Sequence, residues 1–179
     1  MVTIAGTLLH IVIALLIAFH MYLAAAIMLA VVGLFDTLDG ELARLQQRTN
    51  PQGMLLDAST DRFKETLLYT GAAYSLALGS QPYWAVLATA ACGASICVSY
   101  VKAKGEAAIA SSGRHIPHAE LNRLFADGLA TFEIRMVLLI AGLLLNLVPL
   151  ALAIIAALAG YTALQRLVRI SRKLRHDQA

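Results

Sequence analysis

The chain has 179 residues, of which 59% are hydrophobic and only 14% are charged. An ordinary soluble domain carries about 25% charged residues, so this composition excludes a typical soluble protein and indicates a membrane protein. The formal net charge is +3. Because basic residues in short loops usually mark the cytoplasmic side of a membrane protein, this charge does not indicate nucleic acid, and we expect no such partner.

Three segments without charged residues cover positions 1–35, 66–101 and 136–165. Each is about long enough for two membrane crossings, at roughly 20 residues per crossing. Turn residues interrupt the second segment at Gly79–Pro82 and the third at Asn146–Pro149, and length alone places a break in the first near His20. We therefore predict an all-α integral membrane bundle of six transmembrane helices, forming a single domain over residues 1–179.

The basic residues indicate how this bundle is oriented. Every lysine and arginine except Arg135 lies between the charge-free segments or in the C-terminal tail. The positive-inside rule then places both termini and the charged loops in the cytoplasm, as expected for a multi-pass protein of the cell membrane. The tail is expected to anchor to anionic lipid headgroups through Arg166, Arg169, Arg172, Lys173 and Arg175.

Four aspartates fall within 26 positions of a chain that otherwise avoids charge. Asp36 and Asp39 lie three residues apart on a predicted helix from Tyr22 to Gln46, and Asp57 and Asp61 lie four apart on the next helix, so each pair faces one way. The turn between the helices is predicted at 50–53. Ionised carboxylates near membrane depth are costly without a cation, and oxygen ligands suit Mg²⁺. Two such ions would form a clamp for phosphoryl transfer.

Small residues and one arginine accompany the first aspartate pair. Gly40 allows a ligand to approach the backbone closely, and Ala43 keeps the same face open one turn later. Arg44 supplies a fork-shaped donor for phosphate oxygens. These residues predict the floor of a pocket for a metal-bound diphosphate. The alternative is that the aspartates are solvated at helix ends, or paired with Arg44, Arg48, Arg62 and Lys64.

This stretch resembles the signature of the CDP-alcohol phosphotransferase family, DxxDGxxARx8Gx3Dx3D, with every gap matched from Asp36 to Asp61. The resemblance implies that two Mg²⁺ ions, with Mn²⁺ as an alternative, are bound by Asp36, Asp39, Asp57 and Asp61. It implies that Asp61 is also the catalytic base. Residues that line the nucleotide pocket would be Gly40, Ala43, Arg44 and Gly53.

The family resemblance also implies substrates and assembly. The donor would be CDP-diacylglycerol, the acceptor a small alcohol, and the leaving group CMP, with the enzyme embedded among membrane lipids as a homodimer. Members usually begin with a short amphipathic segment, which is expected to be missing before Met1.

The second half of the chain bears on the acceptor. Residues 99–106, SYVKAKGE, end the predicted fourth helix and resemble the SYxKAxxE stretch of prokaryotic members that use inositol phosphate. Positive side chains that would bind a phosphorylated polyol are Lys102, Arg114, Arg123 and Arg135. For Arg135, which is expensive at membrane depth unless it faces a polar cavity, the alternative is a structural pairing with an acidic residue on another helix.

The sequence leaves other functions open. Glycerol 3-phosphate is the alternative acceptor, which would make the protein a phosphatidylglycerophosphate synthase. A membrane prenyltransferase also binds Mg²⁺-diphosphate through aspartates, but on well-separated helices. A divalent-cation transporter would explain the acidic cluster, but it would not explain the pattern of Gly40, Ala43, Arg44 and Gly53.

Overall fold

The computed structural model describes residues 2–45, 51–111 and 128–176, and within these the side chains of residues 2–5, 39–45, 51 and 176 are not described. The described residues form helices and no β-strand, which confirms the all-α prediction for this part of the chain. The α-helices are α1 (Val2–Ala18), α2 (Tyr22–Leu45), α3 (Pro51–Leu78), α4 (Ala85–Ser111), α5 (Phe132–Leu144) and α6 (Val148–His176), with a short 3-10 helix (Pro82–Trp84) before α4.

Two of the tight connections contain a residue in the left-handed backbone region. His20 has a φ of 61° between α1 and α2, and Asn146 has a φ of 55° between α5 and α6. Asparagine and histidine are among the non-glycine residues that adopt this conformation most readily. The breaks predicted near His20 and at Asn146 are confirmed, as is the break after Leu78.

Prolines assigned to two of the predicted turns are helical instead. Pro51 begins α3 and Pro149 is the second residue of α6. The first turn of a helix tolerates proline because its missing N–H would have no intrahelical partner there. Of the turn predicted at 50–53, residues 51–53 therefore belong to α3, and Asn50 lies outside the described residues. The fourth helix also continues to Ser111, beyond its predicted end at Glu106.

The main helix contacts close a ring. Helix α1 packs against α2 and α3, α3 packs against α4, α4 against α6, α6 against α5, and α5 against α2. Buried hydrophobic side chains from all six helices form the core inside this ring. Examples, one from each helix in chain order, are Ile13, Leu29, Leu68, Ala91, Leu139 and Leu152.

Two stretches of the described residues, Pro82–Ser111 and Val148–Arg175, are long and apolar enough to cross a membrane. Shorter apolar helical stretches cover Gly6–Ala18 and Tyr22–Leu38. Large hydrophobic side chains are exposed along several helices, including Leu23, Val86 and Leu164. The number of spans and the cytoplasmic location of the termini remain predictions.

The crossing of α1 and α3 depends on a glycine. A Cβ atom on Gly71 would overlap with the backbone carbonyl oxygen of Ala14, whereas a Cβ on Gly93 would meet no atom within 4 Å. A backbone neighbour cannot move aside as a flexible side chain can. The absence of a side chain at Gly71 therefore sets how closely α1 approaches α3.

We predict that Gly71→Ala destabilises the bundle by about 1–3 kcal/mol, the usual cost of overpacking a tight contact. The matched control is Gly93→Ala, which should keep or raise the melting temperature because alanine is favoured over glycine within a helix by about 0.8–1 kcal/mol. Thermal unfolding of both variants in the same detergent measures the difference. Equal melting temperatures for the two variants would contradict this account of the crossing.

Candidate active site

One lysine joins two of the predicted metal ligands. The Nζ atom of Lys64 lies 2.6 Å from Oδ2 of Asp36 and 3.9 Å from Oδ1 of Asp61. Asp36 is on α2, whereas Asp61 and Lys64 are three residues apart on α3. The structure therefore brings the carboxylates of Asp36 and Asp61 to one place, with a positive charge between the two helices.

The other members of the predicted site are only partly described. Asp57 lies one turn before Asp61 on α3, and its side chain is exposed. Gly53 is also exposed, in the first turn of the same helix. The backbone of α2 includes Asp39, Gly40, Ala43 and Arg44, but their side chains lie outside the described residues.

The electrostatics of Asp61 reflect its half-buried position just before the charge-free segment that begins at Thr66. Burial and the nearby Asp57 carboxylate raise the pKa of Asp61 to about 6, although the positive charges of Lys64 and Arg62 oppose this rise. Burial and a like charge both disfavour the ionised form. A further cation beside Asp61 would therefore stabilise its carboxylate.

The chemistry of the donors fits a hard divalent ion. The described candidate ligands are carboxylates, the oxygen donors that Mg²⁺ and Mn²⁺ prefer. Among the described side chains, no group of three or more histidines, cysteines, aspartates or glutamates lies close enough together to bind a metal. Asp39, the remaining predicted ligand, is outside that set, so Asp36, Asp57 and Asp61 fit the ion by their donor chemistry and do not form a metal-binding group by themselves.

Arg135 forms a buried ion pair with Glu65. Its Nε atom donates to Oε1 of Glu65 at 2.7 Å and its Nη2 atom donates to Oε2 at 3.0 Å, while Nη1 donates to the carbonyl oxygen of Ala130 at 2.6 Å. The side chains of Arg135 and Glu65 are only 1% and 2% exposed. This is the structural pairing that sequence reasoning had weighed as the alternative to a cavity role for Arg135.

Further polar contacts tie Glu65 to α4. The hydroxyl of Tyr69 donates to Oε1 of Glu65 at 3.1 Å and lies 3.3 Å from Oγ of Ser95. The guanidinium of Arg62 approaches Oε2 of Glu65 at 3.2 Å and donates to Oγ of Ser99. We call Arg62, Glu65, Tyr69, Ser95, Ser99 and Arg135 the Glu65 network. It connects α3 with α4 and α5 one turn beyond Asp61.

The residues predicted to bind an acceptor are not brought together among the described residues. Lys102 is exposed on α4, where its Nζ atom lies 3.9 Å from Oε1 of Glu106. Arg114 and Arg123 lie outside the described residues. Arg135 is buried in the Glu65 network, so its predicted role at the acceptor remains a prediction.

Arg166 differs from its predicted place in an exposed basic tail. Its side chain is buried on α6, and Nη1 donates to the carbonyl oxygen of Val98 at 3.4 Å. The last turns of α6 carry the other basic residues. We therefore correct the prediction: Arg166 belongs to the packed interface between α4 and α6, and not to a lipid-facing anchor.

Sequence reasoning missed Glu65, and it named Lys64 only as one of four basic residues that could pair with the aspartates. A signal for Glu65 was present, because Asp57, Asp61 and Glu65 recur every four residues and therefore share one face of α3. The contact of Lys64 with Asp36 is the pairing that the alternative for the aspartates describes. A lysine next to the second charge-free segment is typical of a cytoplasmic flank, and only its contact with α2 shows that it is buried.

Comparisons with known proteins agree with this architecture. The sequence model of one family, described as CDP-alcohol phosphatidyltransferase, matches residues 1–168. The chain is 30% identical over 172 residues to an archaetidylinositol phosphate synthase of Pyrococcus horikoshii, covering 94% of this chain and 82% of that protein. It is 35% identical over 138 residues to a bifunctional IPC transferase and DIPP synthase of Rubrobacter xylanophilus, covering 76% of this chain but only 29% of that protein.

A solved structure supports the fold. The phosphatidylinositol phosphate synthase of Mycobacterium tuberculosis with CDP-DAG bound has a TM-score of 0.78, with 24% identity and coverage of 94% of this chain and 84% of that one. A second structure of the same enzyme, in complex with manganese and citrate, also has a TM-score of 0.78 and 24% identity, covering 94% of this chain and 80% of that one. At 24% identity this structural similarity establishes the fold alone and carries no conclusion about the substrate.

We predict that Arg135→Met lowers the free energy of unfolding by about 3–5 kcal/mol, because it removes both hydrogen bonds of Arg135 to the buried carboxylate of Glu65 and leaves only Arg62 as a basic neighbour. The double variant Glu65→Leu with Arg135→Met should recover much of this loss, since it removes both charges. Thermal unfolding in detergent measures both effects.

The matched control for this ion pair is Glu106→Gln, which breaks the exposed contact with Lys102 and should cost about 1 kcal/mol or less. If Arg135→Met instead keeps the melting temperature and raises only the KM for the acceptor, Arg135 acts in acceptor binding and not in holding the fold.

Proposed function

The chain belongs to the CDP-alcohol phosphatidyltransferase family, and from that premise we propose that it transfers a phosphatidyl group from CDP-diacylglycerol to the hydroxyl of a phosphorylated polyol, inositol phosphate being favoured. Family membership makes the protein a membrane transferase of phospholipid biosynthesis, in place of the cation transporter and the prenyltransferase weighed above. The observation that carries the proposal is the placement of Asp36 and Asp61 around one point between α2 and α3.

We propose that Asp36, Asp39, Asp57 and Asp61 hold two divalent ions, Mg²⁺ with Mn²⁺ as the alternative. When bound, such ions supply positive charge that stabilises the diphosphate and its transition state. The manganese-bound structure of the mycobacterial enzyme is consistent with this choice of metal. Gly40, Ala43, Arg44 and Gly53 would line the pocket of the cytidine nucleotide.

Asp61 is proposed as the general base. The oxygen of the acceptor hydroxyl bonds to the phosphorus that carries diacylglycerol, the bond from that phosphorus to the bridging oxygen of CMP breaks, and the hydroxyl proton passes to Asp61. A base works best when its pKa lies near the working pH. Burial and Asp57 raise the pKa of Asp61 to about 6 without a bound cation, and the ions proposed to bind it would lower that pKa, so the role of base rests on its place in the family signature.

The acceptor is assigned from two lines of support. Lys102 lies in the stretch SYVKAKGE and is exposed, so its ammonium is available to a phosphate. The Pyrococcus horikoshii relative is named an archaetidylinositol phosphate synthase, so its name specifies a lipid product that contains inositol phosphate. We propose that Lys102, Arg114 and Arg123 bind the acceptor phosphate, and that Arg135 affects the acceptor through its contacts with Glu65 and Ala130.

We predict that the purified protein releases CMP from CDP-diacylglycerol in the presence of Mg²⁺ and inositol phosphate, and that a chelator abolishes the release. Glycerol 3-phosphate, free inositol and serine are tested in parallel, because a neutral acceptor leaves the proposed cationic residues without a partner. Faster release with glycerol 3-phosphate would change the acceptor to the alternative. No release with any acceptor would count against the proposed reaction.

We predict that Asp61→Asn lowers kcat by about 100- to 10,000-fold, the usual contribution of a general base, while CDP-diacylglycerol still binds. The amide cannot take the proton, but it keeps the size of the carboxylate and leaves the other three aspartates. CMP release measures turnover, and calorimetry measures binding of the donor. The matched control is Glu133→Gln, an exposed carboxylate in the first turn of α5. Undiminished turnover in Asp61→Asn would remove Asp61 from the role of base.

A further inference from the structure

Lys64 is a buried lysine at the centre of the candidate metal site. Its side chain is 5% exposed, whereas those of its partners Asp36 and Asp61 are 34% and 28% exposed. Lysine is almost never fully buried unless it is paired. The pairing here uses two carboxylates from two different helices, and both are among the proposed metal ligands.

The backbone of helix α1 packs against this ion pair. A Cβ atom on Gly6 would lie 3.4 Å from Oδ1 of Asp36 and 3.5 Å from Nζ of Lys64. The carbonyl oxygen of Gly6 accepts a hydrogen bond from Nδ1 of His10 at 2.8 Å. Backbone from α1 therefore covers the ammonium, and the carboxylates of Asp36 and Asp61 provide its compensating charge.

An ammonium at this position and a divalent ion on the same carboxylates compete with each other. The Nζ–Oδ2 distance of 2.6 Å is that of a direct charge-assisted hydrogen bond. Mg²⁺ binds oxygen at about 2.0–2.1 Å, so an ion on the Asp36 carboxylate would lie within a few Å of the ammonium and compete with it for the same negative charge. Two cations this close also repel each other strongly where the surroundings are partly buried.

We propose that Lys64 is an internal counter-cation of the carboxylate site, which neutralises Asp36 and Asp61 until a divalent ion displaces it. This inference rests on the proposed function, because it takes Asp36 and Asp61 as metal ligands. The displaced ammonium then needs a new anion, and the diphosphate of the CDP-linked donor supplies one. Metal and donor should therefore bind cooperatively, each favouring the other.

The test is Mn²⁺ binding to the full chain in detergent, followed by the electron paramagnetic resonance signal of free Mn²⁺, with and without CDP. Lys64→Met should bind Mn²⁺ at least about tenfold more tightly than the parent protein in the absence of CDP, because one repelling charge is removed. The increase in affinity that CDP causes should be smaller in the variant. Lys64→Arg, which keeps the charge, should bind Mn²⁺ about as weakly as the parent protein.

Controls separate charge from folding. Lys104→Met makes the same change in net charge at an exposed position on α4 and should leave Mn²⁺ affinity unchanged. Lys64→Gln is a second neutral variant in case methionine prevents folding, and the melting temperature identifies which variants are folded. If the folded neutral variants bind Mn²⁺ no more tightly than the parent, Lys64 is only a structural ion-pair partner and the inference fails.

The outcome also separates this inference from the proposed function. Mn²⁺ binding that is lost in Asp36→Asn but unchanged in the Lys64 variants keeps the metal site and overturns the counter-cation. If neither the parent nor any Lys64 variant binds Mn²⁺, with or without CDP, both the metal site and the counter-cation are overturned. CMP release in the acceptor assay then shows independently whether the transferase activity stands.

Discussion

The ion pair between Glu65 and Arg135 is the contact on which the rest of the site depends. A buried charge pair is tolerated only when its geometry is good and its remaining donors and acceptors are satisfied. Here the guanidinium uses one edge for both oxygens of Glu65 and a third nitrogen for the carbonyl oxygen of Ala130. Helix α5 begins immediately after Thr131, whose side chain caps it, so Arg135 projects from a fixed helix end. Glu65, and with it the rotation of α3, is fixed in turn.

One acidic face of α3 therefore serves two purposes along its length. Glu65 is 2% exposed and bound on all sides, Asp61 is 28% exposed, and Asp57 is exposed. The closed end of the face holds the helix against α4 and α5, whereas the open end is accessible to ligands. Because Asp61 lies one turn from Glu65, the rigidity of the closed end determines where the Asp61 carboxylate points.

Much of the fold could be predicted from the sequence, because membrane helices are set by length, hydropathy and turn residues. The breaks at His20 and Asn146 and the grouping of Asp36 with Asp61 follow from such local patterns. The partner of Arg135 could not be predicted, since helical spacing identifies the face of a residue but not the neighbouring helix. Lys64 was named only among several possible partners of the aspartates, and its burial was not foreseen because flanking lysines and buried lysines look alike in sequence. The prolines at positions 51 and 149 were assigned to turns, because proline is common in turns and also in the first turn of a helix, and the sequence does not distinguish the two.

The ring of helix contacts has a consequence for how the protein is made. Ribosomes deliver helices in chain order, yet α2 packs against α5, and α4 packs against α6. Arg135 follows Glu65 by 70 residues, so a nascent chain that has released only its first four helices holds Glu65 beside Arg62 but without the two hydrogen bonds from Arg135. The Glu65 network is therefore completed only when the fifth helix arrives. A chain shortened at its carboxyl end loses the ring as well as its last helix.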